Sequence, residues 1–129
     1  MIKLQSLLLE RIDYLDTAKQ LVKKYKLKSK VKFGKGENYG DYDWHKDIIY
    51  LDRSYPTMKE FFITVLHEIH HAKQRQKLGA KKYEKRYNQA GTVAQNQGKD
   101  FYDDNKYETR AENWAQDEYR RLFKQGELK

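Results

Sequence analysis

One helix-length segment constrains this chain more than any other feature. Thr57 follows Pro56, and Glu60 stands three residues after Thr57. That is the pattern of a capping box, in which a hydroxyl and a carboxylate satisfy the free N–H groups of a helix start. From there to Gly79 no proline or glycine intervenes, and Phe62, Val65, Leu66, Ile69 and Ala72 recur at helical spacing, with Phe61 at the border of their face. A helix over residues 58–77 is expected, buried on that face. Its opposite side carries His67, Glu68 and His71 in the order H-E-x-x-H. Residues four apart on a helix are offset by only ~40° around its axis, so two imidazoles stack and can aim at one ion. Glu68, next around the helix, can reach a water on that ion without being a ligand itself. His70 lies off the Glu68 side and is expected to be part-exposed or hydrogen-bonded nearby.

The rest of the chain has to pack around that helix. Leu4, Leu7, Leu8, Arg11, Leu15, Ala18, Leu21, Val22 and Tyr25 recur at helical spacing and predict an amphipathic helix over residues 3–26. Val31 and Phe33 alternate with Lys, and Ile48–Leu51 is a short apolar run; glycines and aspartates separate them. Two or three short antiparallel strands are expected, with a polar loop over 35–46. A helical stretch over 80–97 is punctuated by Gly91 and Gly98. Asn105 opens a final helix that runs to about Lys124 and stops at Gly126. The expected fold is therefore α+β in one domain spanning 1–129: an N-terminal helix, a short antiparallel sheet, the H-E-x-x-H helix and a C-terminal helix.

The chain has no cysteine, so thiolate zinc sites, disulfides and Cys nucleophiles are excluded. A metal would rest on His and carboxylates. Catalytic zinc usually takes three protein ligands and keeps the fourth position for water. The last helix offers Glu108, Ala111, Glu112, Ala115, Tyr119 and Leu122 on one stripe. Carboxylates on an inward stripe are costly unless a positive group receives them. Glu108 is assigned to the metal, and Glu112, one turn on, to the second N–H of a ligand His, where it would fix the ring's tautomer. The reverse assignment of the two is the alternative. An oxyanion needs a further donor. His45, Tyr83, Tyr87, Tyr102 and Tyr107 are candidates, with Tyr107 and His45 carried forward.

The combination H67-E68-I-H-H71 and E108-x-x-A111-E112-x-W114-A115 resembles the gluzincin metallopeptidases, most nearly the small ImmA/IrrE-like group. The likeness covers residues 30–120. Trp114 stands where that group usually has Phe, and the 36 residues between His71 and Glu108 carry no family pattern. The resemblance implies a zincin-like fold with zinc on His67, His71 and Glu108, Glu68 as the base, and peptide hydrolysis. SprT-like proteins are a looser analogue; they use a third His, and none follows His71. A protein or peptide substrate could add as a strand to the sheet. Asp47–Leu51, just ahead of the metal helix, is the expected edge, with the preceding polar loop as a lid.

The net charge is +8 and uneven. Thr17–Lys35 holds eight Lys and no acid, and Lys73–Arg86 holds five Lys and two Arg against Glu84 alone. Such runs attract nucleic acid or another acidic partner, or simply solvate a Lys-rich surface. Two alternatives to the peptidase follow: a nucleic-acid-associated zinc protein and a non-catalytic zinc-binding interaction domain. No window approaches the ~18 consecutive apolar residues of a membrane span. Glu10, Arg11 and Asp13 interrupt the N-terminal Leu cluster too early for a signal peptide. The expected location is the cytoplasm.

Overall fold

Secondary structure follows the polar–apolar pattern closely where that pattern is strong and departs from it in the sheet. The computed structural model describes residues 13–34 and 38–124. The chain runs through α1 (Tyr14–Lys24), β1 (Lys30–Phe33), β2 (Gly40–Asp43), β3 (Ile48–Leu51), α2 (Met58–Leu78), α3 (Ala80–Asn96) and α4 (Lys106–Lys124). Among the described residues this is an α+β arrangement of four helices and one small sheet. No helix among them is long and apolar enough to cross a membrane.

The helix expected over residues 3–26 does not run unbroken. Asp13 has an extended backbone, and its carboxylate accepts from the N–H of Asp16 at 3.0 Å, capping α1 at that point. The first half of the expected helix lies outside the described residues. Ala18, Leu21 and Val22 form the buried stripe of α1.

The sheet is mixed, not antiparallel. Strand order is β1-β3-β2; β2 pairs antiparallel with β3, and β1 pairs parallel with it, Lys30 opposite Ile48 and Phe33 opposite Leu51. The chain reverses twice between β1 and β3, so those two strands end up parallel. The second reversal is tight. Asp47 takes a positive φ of 56°, and its carboxylate accepts from the hydroxyls of Ser29 and Tyr42, each at 2.6 Å. β3 carries the continuous apolar run, with Ile48, Ile49 and Leu51 buried, so it takes the centre. β2 falls inside the stretch expected to be a polar loop. Only its Tyr42 turns into the core, which leaves too little apolar pattern to read as a strand. The edges are therefore β1 and β2, and the expected edge, Asp47–Leu51, is interior.

Helix α2 starts where the capping box places it. Thr57 Oγ1 accepts from the N–H of Glu60 at 3.1 Å, and the helix ends at Gly79, whose φ is 85°. Phe61, Val65, Leu66, Ile69 and Ala72 are at most 1% exposed. Phe61 is part of the core and Phe62 only packs at its edge, the reverse of their expected places. These residues meet Ile49, Leu51, Leu122 and the α1 stripe in one apolar core. α4 packs chiefly along α2.

A second, smaller cluster of Tyr83, Tyr87, Ala90 and Tyr107 joins α3 to the start of α4. Gly91 does not break α3. A Cβ there would lie 2.3 Å from the Phe101 ring, so glycine is what lets that ring rest on the helix. Asn105, fully buried, fixes the start of α4. Its side chain accepts from the N–H of Tyr107 at 2.9 Å and donates to the carbonyl of Tyr87 at 3.0 Å.

Candidate metal centre

The packing of α4 along α2 brings three donor groups to one point. His67 and His71 lie one turn apart on α2, their rings edge to face with centroids 4.9 Å apart. Glu108 enters from the first turn of α4. Its Oε1 lies 2.8 Å from His67 Nε2 and 2.9 Å from His71 Nε2. One ligand atom from each of the three residues falls within 4.8 Å of the others. Two imidazole nitrogens and a carboxylate oxygen form a donor set that zinc accepts, and no fourth His or carboxylate among the described residues joins the group.

Burial works against charge on His67, but hydrogen bonds to Glu108 and Glu112 and the nearby carboxylates outweigh it and push the imidazole up to about 10. Burial also works against charge on Glu108, and there hydrogen bonds with His67, His71 and Tyr87 win, holding it well below the usual carboxylate range. The carboxylate is thus ready for a positive charge, and a divalent ion would meet the same demand as the His67 proton.

Each donor is also held from behind. His67 Nδ1 lies 2.9 Å from Glu112 Oε1, and Glu112 Oε2 accepts from Gln116 Nε2 at 2.8 Å. His71 Nδ1 lies 2.7 Å from the hydroxyl of Tyr83. The Tyr87 hydroxyl donates to Glu108 Oε2, leaving Oε1 to face the imidazoles. Both phenols are pushed up, first by burial, so they stay neutral. Such outer contacts fix ring orientation and tautomer. Tyr83 and Tyr87 stood in the sequence only among several candidate tyrosines. Their spacing, four apart on α3, places them on one helix face but does not say what that face meets.

Glu68 sits beside the donor group and is only 7% exposed. Burial pushes its carboxyl up to about 7, against the pull of the two imidazoles. Gly40 of β2 passes directly over it. A Cβ at position 40 would lie 3.2 Å from Glu68 Oε2 and 2.5 Å from Thr64 Cγ2. Glycine is what allows the edge strand to approach the carboxylate.

The other candidates separate clearly. Glu68, His71, Glu108, Tyr83 and Tyr87 open onto a cavity of about 380 Å³, with His45 and Tyr102 also in its wall. His45 is exposed and pairs with Glu84 at 2.7 Å, next to Trp44, whose indole N–H donates to the same oxygen at 2.8 Å. Tyr107 is not a candidate oxyanion donor in this geometry. It is 7% exposed, packs behind the rings of Tyr83 and Tyr87, and does not line that cavity. His70 turns away onto Trp114, with ring centroids 5.5 Å apart. No family model, curated protein or solved structure matches the chain.

Proposed function

We propose that this chain is a zinc-dependent metallopeptidase of gluzincin type, similar to the small ImmA/IrrE-like group. The observation that carries the proposal is the meeting of His67, His71 and Glu108 around one space, with Glu68 beside it at a cavity wall. His67, His71 and Glu108 would hold the ion. Zinc there would acidify water and polarise a carbonyl. Three protein donors suit that role; a purely structural zinc site usually has four.

The chain's own residues supply the rest of the chemistry. Glu68 accepts a proton from the attacking water as its oxygen bonds to the scissile carbonyl carbon. It then returns that proton to the amide nitrogen as the C–N bond breaks, giving a carboxylic acid and an amine. Burial of Glu68 favours the neutral carboxyl that it must become between the two transfers. The polypeptide would lie along the free edge of β2, where backbone pairing makes little demand on its sequence. Glu112, Tyr83 and Tyr87 keep the donors oriented.

The test pairs metal analysis with hydrolysis. Wild-type protein purified without chelator should carry one zinc per chain and cleave an unfolded protein substrate. Glu68→Gln should keep the zinc and lose cleavage by roughly 10²–10⁴-fold, the usual worth of a positioned base. Glu108→Ala should release zinc at far lower chelator concentration. A wild type with no stoichiometric zinc ends the proposal.

A further inference from the structure

The walls around the candidate centre contradict the chain's overall charge. The protein is +8, yet among the described residues lining the three cavities that share Glu108 there is no Lys or Arg. Asp41, from the edge strand, borders all three. Asp103, from the connection between α3 and α4, lines one of them together with Asp41. Neither side chain has a hydrogen-bond or ion-pair partner among the described residues. A divalent ion at the centre would be matched by Glu108 and Glu112. Asp41 and Asp103 would then remain as uncompensated negative charge.

Two further observations point to what that charge would meet. Glu68 is only 7% exposed and opens onto the cavity, and its carboxylate has no hydrogen-bond partner among the described residues. The rim also carries exposed aromatic rings, which proteins normally bury. Tyr39 is 46% exposed on one side and Tyr102 62% exposed on the other. Carboxylates beside exposed aromatic rings suit a cationic side chain, which gains from both. The basic run over 73–86 comes near the cleft through Arg75, which donates to the carbonyl of Trp44 at 2.9 Å, but that guanidinium is paired with Asp47 at 3.7 Å; exposed charges more than ~8 Å away are screened at physiological salt.

We infer that the cleft selects polypeptide segments with Lys or Arg beside the scissile bond, gripped by Asp41 and Asp103 between Tyr39 and Tyr102. This rests on the peptidase reading and assigns its substrate class. The same charge disfavours nucleic acid in the cleft, whatever the basic runs bind elsewhere.

The experiment uses full-length zinc-loaded protein and peptides that differ at one residue flanking the cleavable bond: Lys, Arg, Gln or Glu. The Lys and Arg peptides should be cleaved with roughly fivefold higher kcat/KM than the Gln peptide, the worth of two exposed charge pairs, and the Glu peptide should be slowest. Added salt should narrow the spread. Asp41→Asn with Asp103→Asn should flatten the Lys-over-Glu ratio at unchanged zinc content. A binding measurement stands apart from turnover: zinc-loaded Glu68→Gln should bind a fluorescent Lys peptide more tightly than its Glu counterpart, and a single-stranded oligonucleotide should not displace it. Cleavage with no charge preference, or with preference for Glu, overturns the inference and leaves the peptidase standing. Absence of any cleavage with Lys still favoured in binding overturns the peptidase and leaves the acidic, cation-selecting cleft. Equal binding of both peptides, or displacement by the oligonucleotide, overturns the cleft's selectivity.

Discussion

The two buried clusters of this molecule are built from different chemistry. The main core, running from Ala18 on α1 through Ile49, Leu51, Phe61, Leu66 and Ile69 to Leu122, is largely aliphatic and offers almost no polar atoms. The smaller cluster is dominated by tyrosines, and two of its hydroxyls reach out to His71 and Glu108. Apolar area stabilises without regard to direction. A phenol adds a directed contact to comparable bulk. The first region therefore holds the helices together, and the second sets how the candidate donors point. Stability and metal affinity should accordingly be separable.

The largest separation should come from Phe61→Ala. Phe61 is fully buried between α2, Tyr14 and Tyr55. Its truncation leaves a cavity and should cost about 3–5 kcal/mol in denaturant unfolding. If the regions are distinct, the molecules that stay folded should retain wild-type zinc affinity. A loss of affinity in proportion to stability would merge the two regions into one.

The converse variant is Tyr83→Phe, which removes one oxygen and leaves the ring in place. His71 would lose the partner of its Nδ1, and outer contacts of this kind are worth about 10–100-fold in metal affinity. Zinc titration should show that loss, while the unfolding midpoint should shift far less than in Phe61→Ala. Tyr87→Phe should act in the same direction through Glu108. Unchanged zinc affinity in both variants would reduce the phenols to packing.

The same contrast explains what could be read from the chain. The aliphatic core is written in periodicity: the apolar stripe of α2, its Thr57 cap and its Gly79 stop all follow from spacing and local chemistry. Spacing also pairs His67 with His71 and puts Glu108 and Glu112 on one inward stripe of α4, and in the structure these four side chains meet. β2 was illegible because an edge strand with one inward residue, flanked by Gly40 and aspartates, has the composition of a loop. The parallel pairing of β1 with β3 depends on counting that hidden strand. The interruption at Asp13 was masked because the Leu spacing continues across it. The tyrosine contacts were beyond reach for another reason. Tyr is equally at home in a core, at a surface or on a ligand, and only the folded positions of α3 and α4 distinguish these.

The smallest expected effect concerns pH, and it sharpens the contrast further. The main core has no charged side chain and should respond little to pH. The candidate centre responds in both directions when metal-free. His67 is pushed up to about 10 from 6.5, so its contribution to stability is complete below about 6.5 and is lost as pH rises through about 10. Glu108 is held below its ordinary 4.5, so its contribution is complete above that value and is lost as pH falls through its lower folded value. The chelator-treated protein should therefore be most stable between about pH 4.5 and 6.5 with respect to this pair, weakening on either side. Melting curves across pH can measure this, with Glu108→Gln as the control that should flatten the alkaline limb. Zinc should replace the His67 proton, so loading the protein should release protons and remove the same limb. An alkaline limb that persists with zinc bound would mean that the ion does not take the place of that proton, and the donor group would have to be sought elsewhere.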